Sequence, residues 1–200
     1  MTTVRMEAFS DGVIAILITI MVLELHVPNG ADLTALRPML PIFLSYLLSF
    51  VFLGIYWNNH HHMMVMTDEI NGGILWANLH LLFWLSLVPF GTSWMGANHL
   101  APVPTAVYGT VLLLAAIAYT ILQASIIRHQ GPGSKLKAAV GRDAKGIFSA
   151  LLYVAGIPLA FVDPRIAVAI YAIVAMTWLV PDRRIENRII RNAEERSRDA

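Results

Sequence analysis

The sequence predicts an all-α integral membrane protein with six transmembrane helices in each subunit. Of its 200 residues, 57% are hydrophobic and only 14% are charged. A soluble domain usually carries about 25% charged residues, so this chain has too little charge for a surface that faces water on all sides. Long apolar runs explain the difference, because a bilayer core about 30 Å thick needs roughly 20 residues of helix.

Six apolar runs are the predicted spans, at residues 6–26, 38–64, 70–94, 103–127, 147–162 and 165–180. The second and third contain no Asp, Glu, Lys or Arg at all. The fifth and sixth are short and are joined by a tight turn, so a re-entrant hairpin with only five true spans is the alternative. Residues 1–181 then form one transmembrane domain, and residues 182–200 form a short basic cytoplasmic tail.

The positions of Lys and Arg predict the orientation. With six spans and an inner N-terminus, the outer loops hold only Arg37 and Arg165, and the other twelve of the fourteen basic residues lie inside. Cytoplasmic loops of membrane proteins carry such an excess. We therefore expect a multi-pass protein of the cell membrane with both termini in the cytoplasm. Lipid is an expected partner, whereas a net charge of +1 gives no indication of nucleic-acid binding.

The first predicted helix contains three acidic residues, with Glu7 and Asp11 near its inner end and Glu24 near its outer end. Ionisable groups inside a span are costly and mark either function or structural pairing. If the first two spans form an antiparallel hairpin, Arg5 lies level with His61. The same register brings Asp11 close to residues 56–58 of the second span.

The second span offers those acids a cluster of polar side chains, namely Trp57, Asn58, His60 and His61. The simplest interpretation is a structural clamp between the two helices, and a pH-sensing role for the histidines is the alternative. We predict no metal site here. Consecutive histidines on a helix point about 100° apart and do not converge on one ion.

The first helix also carries an apolar stripe at intervals of three and four residues, made of Phe9, Gly12, Ile16, Ile20, Leu23 and Val27. Glu7 and Asp11 lie well away from this stripe at 100° per residue, and Thr19 lies beside it. Taken alone, such a stripe more often faces lipid or a protein core than a pore.

Residues 5–12, Arg-Met-Glu-Ala-Phe-Ser-Asp-Gly, resemble the RxxxFSDG signature of the transmembrane protein 175 family, the endolysosomal potassium channels and their bacterial homologues. The similarity continues through residues 13–25, through the polar cluster at 57–61, and through residues 78–90. It is specific only over those segments. The later helices are similar in hydropathy alone.

This resemblance implies a homotetramer with helix 1 lining a central pore. Animal members carry two six-helix repeats, whereas this chain has one and so resembles the bacterial form. The resemblance places the pore constriction at Ile16, Ile20 and Leu23, with Thr19 as a polar neighbour. It also implies that the motif residues brace helix 1 against neighbouring helices without touching the ion; these are Arg5, Phe9, Ser10 and Asp11.

The function implied is a potassium-permeable cation channel and not an enzyme. Rings of Ile and Leu form a constriction that gates by dewetting, with a modest preference for K⁺ over Na⁺. No cofactor is expected; the permeating species is K⁺, with other monovalent cations also able to pass. A proton-coupled secondary transporter or a proton leak pathway is the alternative, supported by the acids and histidines within the spans. The chain contains no HExxH, GxSxG or GxxxxGK motif, which disfavours an enzyme.

Overall fold

The computed structural model describes residues 2–141 and 143–179, and within these ranges its regular structure is entirely helical. The α-helices are α1 (Thr3–Leu23), α2 (Leu40–Val65), α3 (Gly72–Ser86), α4 (Val88–Ala97), α5 (Pro102–Gln130), α6 (Lys135–Val140), α7 (Ala144–Leu159) and α8 (Pro164–Leu179). Short 3₁₀ segments occupy Leu33–Met39 and Gly131–Gly133. The all-α class is therefore confirmed. The predicted tail at 182–200 lies outside the described residues.

Four stretches of the described chain are long and apolar enough to cross a membrane: Thr3–Leu23, Leu33–Val65, Gly72–Ala97 and Pro102–Gly133. Helices α7 and α8 are apolar but have 16 residues each. At 1.5 Å per residue each is about 24 Å long, somewhat short of a bilayer core. The six-span count and its five-span alternative both stay predictions.

The predicted third run is interrupted at Leu87, where α3 ends and α4 begins. Pro89 lies in the first turn of α4. A proline has no backbone N–H and cannot donate to the carbonyl four residues earlier, so an uninterrupted helix through this position is disfavoured. The first run also differs slightly from expectation, because α1 begins at Thr3 and ends at Leu23 rather than covering 6–26.

Helix α5 is the centre of the bundle and packs against α3, α4, α7 and α8. Helix α2 packs against α1, α4 and α8. Helix α1 packs mainly against α2, α3 and α4. It therefore lies at the edge of the subunit, with one face in the bundle and another face open.

One end of the bundle collects the N-terminus, the connection between α2 and α3, and the start of the segment after α5. Lys135 Nζ forms an ion pair with Asp68 Oδ2 at 3.0 Å, and Thr3 Oγ1 donates to the Asp68 carbonyl at 3.5 Å. Gln130 Nε2 donates to the Met66 carbonyl at 2.6 Å. These contacts place the three segments on the same side, as alternating spans require. The assignment of that side to the cytoplasm stays a prediction.

The packing of α5 against α8 depends on a glycine. Gly109 lies against the phenol ring of Tyr171, and a Cβ at position 109 would collide with that ring. Tyr171 is fully buried, so the ring has no free space into which to move. We expect Gly109→Ala to destabilise the protein by about 1–3 kcal/mol through overpacking.

The midpoint of thermal unfolding in detergent measures this effect. Gly54→Ala is the matched control, because Gly54 is also helical but has open space where its Cβ would be. Alanine favours helix over glycine, so Gly54→Ala should leave the midpoint unchanged or slightly raised. Equal midpoints for the two variants would contradict the described contact between α5 and α8.

Candidate functional site

Helix α1 presents two different faces. Its buried face is formed by Met6, Ser10, Ile14, Leu17 and Met21. The predicted constriction residues are exposed, with Ile16 57%, Ile20 42% and Leu23 77% accessible in the isolated subunit. These three side chains therefore point away from the core of their own subunit, where lipid or another subunit can contact them.

Both faces of α1 are apolar, which is why periodicity alone did not distinguish them. At 100° per residue, the stripe through residues 16, 20 and 23 lies roughly 110° from the centre of the buried face. Exposed aliphatic side chains on an otherwise packed helix need a non-aqueous or assembled environment. A single subunit does not cover the stripe, so lipid or another subunit must cover it.

Thr19 lies beside this stripe and is exposed. Its Oγ1 donates a hydrogen bond to the Ile16 carbonyl at 2.9 Å. The hydroxyl proton is thus held within the helix, and the lone pairs of the oxygen remain available to an outside group. Thr19 is thus a neighbour of Ile16 on α1, and its role beside a pore stays a prediction.

The N-terminal half of α1 is held by a buried chain of hydrogen bonds to two other helices. His60 Nε2 on α2 lies 2.8 Å from Asn78 Oδ1 on α3, and Asn78 Nδ2 donates to Ser10 Oγ on α1 at 2.9 Å. Ser10 Oγ in turn donates to the Met6 carbonyl at 2.9 Å. All three side chains are buried. Such a connected and fully buried chain fixes the position of the helices that share it.

The hydrogen bonds in this chain all run in one direction. An amide oxygen only accepts, so His60 Nε2 carries the proton and donates to Asn78. The other ring nitrogen, Nδ1, is buried and has no hydrogen-bond partner within the part of the chain that the structure describes. The hydrogen-bond chain therefore selects the tautomer of His60 that carries its proton on Nε2.

A second contact between α1 and α2 joins Glu7 to His61, with 2.7 Å between Oε1 and Nδ1. This differs from the predicted register, which placed Arg5 level with His61. In the described ranges Arg5 is exposed and forms no ion pair, and Asp11 Oδ1 is buried without a hydrogen-bond partner. The bracing role of Arg5, Phe9 and Asp11 stays a prediction.

Only two of the four predicted clamp residues make polar contacts to other helices. Trp57 is half-exposed, and neither it nor Asn58 has a hydrogen bond to another residue of the described chain. Asn78 was not among the predicted clamp residues. A signal was present, because α1 and α3 start at the same end of the bundle, and Ser10 and Asn78 lie seven and six residues into them.

The C-terminal half of α1 has weaker attachments. Met21 is buried, and Thr92 Oγ1 on α4 lies 3.9 Å from its sulfur. A thioether is a weak acceptor, so this contact contributes less than the amide and hydroxyl bonds at Ser10. Polar anchoring of α1 is thus concentrated near its N-terminal end.

We expect His61→Gln to lower the stability of the protein by less than about 1 kcal/mol. The His61 side chain is 48% exposed, and partly exposed ion pairs contribute little. A glutamine amide can also donate to Glu7. The thermal unfolding midpoint in detergent should therefore stay close to that of the unsubstituted chain. A drop of many degrees would show that the Glu7–His61 contact matters more than its exposure implies.

Comparison with known proteins identifies the family. The family described as endosomal/lysosomal potassium channel TMEM175 matches residues 5–89, which contain nearly all of α1 and the whole of α2 and α3. A potassium channel of Chryseobacterium sp. (strain P1-3) is 55% identical over 192 residues, covering 96% of this chain and 100% of the relative. The chain belongs to the TMEM175 family.

Two further comparisons agree with this membership. A potassium channel of Streptomyces collinus is 30% identical over 185 residues, covering 87% of this chain and 90% of the relative. The crystal structure of a lysosomal potassium-selective channel TMEM175 homologue from Chamaesiphon minutus superimposes with a TM-score of 0.75 at 29% identity. That match covers 89% of this chain and 96% of the crystallised one. The resemblance to the TMEM175 family predicted from residues 5–12 is confirmed.

Proposed function

We propose that this member of the TMEM175 family is a subunit of a potassium-permeable channel, with its pore where copies of α1 meet around a common axis. The observation that carries the proposal is the exposure of Ile16, Ile20 and Leu23 on a face of α1 directed away from the subunit core. The potassium-channel names of the bacterial relatives support the choice of ion.

Self-association is part of this proposal, because one helix face cannot enclose a pore. Several copies of the stripe must surround an axis, and we propose a homotetramer in the cell membrane. The end of the bundle that holds Asp68 and Lys135 would lie in the cytoplasm together with both termini. Lipid would contact the outer helices of each subunit.

The proposed mechanism uses the stripe as both gate and selectivity element. Rings of Ile16, Ile20 and Leu23 offer an ion no replacement for its hydration shell, and a narrow apolar ring can close by losing its water. When the ring is open, K⁺ would pass more easily than Na⁺ because it gives up water at lower cost. The Thr19 oxygen would supply partial coordination beside the Ile16 ring.

The buried chain through Ser10, Asn78 and His60 would act as a positioning element. Ser10 lies on a different face of α1 from the stripe, and none of the three side chains would touch the ion. They hold the inner half of α1 against α2 and α3. The orientation of the stripe toward a shared axis would depend on this attachment.

Recording from purified protein in a planar bilayer tests the proposal. With K⁺ on one side and Na⁺ on the other, we expect resolved single-channel steps and a reversal potential that shows preference for K⁺. Ion flux without resolvable steps would instead support a secondary transporter. A reversal potential that follows a pH gradient under symmetric K⁺ would support the alternative, a proton-coupled transporter or proton leak pathway.

A further inference from the structure

A cavity of about 460 Å³ lies between α2, α5, α7 and α8, with no residue of α1 in its wall. Much of its wall is apolar and aromatic, and Phe52, Tyr56, Tyr119, Tyr153 and Trp178 all line it. Cavities that bind small organic ligands usually have volumes of about 300–1,000 Å³ and this kind of lining. The proposed ion pathway does not use this space.

A buried amide in this cavity lacks a partner. Gln123 on α5 lines the cavity and is 8% exposed, and no hydrogen bond joins its side chain to another residue within the described ranges. The hydroxyl groups of Tyr56 and Tyr153 likewise form no hydrogen bond to another residue within the described ranges. By contrast, Tyr119 donates to the Asn59 carbonyl at 3.3 Å, and Trp178 Nε1 donates to Ser149 Oγ at 2.8 Å.

The amide atoms of Gln123 are not fully enclosed by protein, so an occupant of the cavity can reach them. A buried amide left without any hydrogen bond costs about 1–3 kcal/mol. The cavity around Gln123 therefore favours an occupant that offers at least one hydrogen-bonding group to the amide. Most of the wall is apolar, so most of the occupant must be apolar too. These two requirements describe an amphiphilic organic molecule.

The charge of the cavity wall determines what kind of polar group the bound molecule should carry. Among the described lining residues only Asp143 is charged. Its Oδ1 accepts from the Gly146 N–H at 2.8 Å as the N-cap of α7, which leaves Oδ2 available. Asp143 lies in the segment between α5 and α7, and the start of α7 is the polar end of the cavity.

Aromatic rings near this carboxylate add a second preference for positive charge. One of them, Trp178, already has a cation over it, since Lys145 Nζ lies 5.9 Å from its ring centroid. Lys145 itself does not line the cavity. Among the described lining residues, an anionic headgroup would meet a carboxylate and no cation, whereas a protonated amine would meet a carboxylate and several aromatic rings.

We propose that this cavity is a binding site for a protonated amphiphilic amine. Its ammonium group would lie at Asp143 and its apolar part between Phe52 and Tyr153. A hydrogen-bonding group of the molecule would pair with the Gln123 amide. The site is separate from the stripe on α1, and its existence does not require that the protein conduct ions.

The test is equilibrium dialysis of full-length protein in lipid nanodiscs, with empty nanodiscs as the background. The probes are 4-phenylbutylamine, 4-phenylbutan-1-ol and 4-phenylbutanoate, which share a body and differ in charge. We expect saturable binding of the amine, with the alcohol and the carboxylate each weaker by about tenfold or more. Equal affinity for the amine and the alcohol would refute the role of Asp143.

Two substitutions locate the site. Asp143→Asn keeps an N-cap side chain but removes the charge, and Gln123→Leu removes the amide at similar volume. Asp143→Asn should weaken binding of 4-phenylbutylamine about fivefold or more, because the ammonium loses its charged partner. Gln123→Leu should weaken binding of a 4-phenylbutylamine derivative with an added hydroxyl group by a similar factor, because the hydroxyl loses its hydrogen-bond partner. Asp68→Asn is the control, since it removes an exposed carboxylate at the same end of the bundle and should change nothing. Unchanged binding in both cavity variants would overturn the proposal.

The identity of the occupant has one further check. If the full-length chain binds no amine but a chain truncated after residue 181 does, the protein's own tail fills the cavity and the proposal is wrong. Because α2 forms one wall of the cavity and also carries His60 and His61, an occupant should alter the position of α1. An effect of the occupant on current can be measured only if the proposed channel function is right. Binding measured by dialysis does not depend on that function.

Discussion

Replacing Ile16 by asparagine is expected to reduce the preference for K⁺ over Na⁺ nearly to unity and to raise the conductance severalfold. An amide ring at this position would hold water in the constriction and lower the dehydration barrier that separates the two ions. The bi-ionic reversal potential measures the change. A ratio equal to that of the unsubstituted channel, in a protein that still assembles, would show that Ile16 is not the narrowest ring.

Ile173→Asn is the matched control for this experiment. Ile173 lies on α8 and is 52% exposed, similar to Ile16 at 57%. The same substitution there places an amide on an apolar surface far from α1. It is expected to lower stability to some degree and to leave the permeability ratio unchanged.

A cysteine version separates a pore-facing side chain from a lipid-facing one. The chain contains no cysteine, so Ile16→Cys and Ile173→Cys each introduce the only thiol. A charged thiol reagent reacts with the thiolate and therefore needs water at the site. We expect it to block current through Ile16→Cys channels and to leave Ile173→Cys channels unaffected. Lack of reaction at position 16 in conducting channels would place that side chain outside the water-filled path.

Replacing Asn78 by leucine is expected to have the largest effect on stability. The substitution removes the shared partner of His60 and Ser10, both of which are fully buried. His60 Nε2 is then left unpaired at a cost of about 1–3 kcal/mol, while Ser10 keeps its bond to the Met6 carbonyl and loses only the one from Asn78, worth about 0.5–1.5 kcal/mol. A total loss of roughly 2–4 kcal/mol follows. The thermal unfolding midpoint and the yield of assembled protein on size-exclusion chromatography should both fall.

A double variant tests the cause of that loss. Replacing both partners of a buried hydrogen bond by apolar groups is far less costly than removing one. Asn78→Leu with His60→Leu should therefore recover part of the stability that Asn78→Leu loses alone. Asn98→Leu, at an exposed position, is the surface control. His60→Leu alone supplies the comparison. If adding it to Asn78→Leu lowers the stability by as much as it does in the unsubstituted chain, the two side chains act independently.

Local signals in the sequence were sufficient for the helical class and for membership of the TMEM175 family. Apolar runs set by bilayer thickness predicted the helices, and residues 5–12 predicted the family. Thr19 and Ile16 are adjacent because helical geometry alone places them so. These features depend on neighbours within one helix, where periodicity is informative.

Features that depend on contacts between helices were harder to predict. The register predicted from the length of the connection placed Arg5 level with His61, whereas Glu7 pairs with His61, about half a helical turn away. The connection after α1 contains irregular and 3₁₀ structure, and its length alone therefore does not fix the register. Asn78 joins Ser10 only through the packing of α3 beside α1. The cavity around Gln123 needs four helices to form, and no pattern within any one of them indicates it.

The attachment of α1 has a mechanical consequence. Strong polar contacts hold this helix near Ser10, while its outer half is held by apolar packing and the weak Thr92–Met21 contact. It can therefore behave as a lever that pivots about its inner third. Leu23 lies about 20 Å from Ser10 along the axis and Ile16 about 9 Å, so the same tilt displaces Leu23 roughly twice as far as Ile16. In the proposed channel, small rotations at the pivot would then widen the pore at Leu23 before they change it at Ile16.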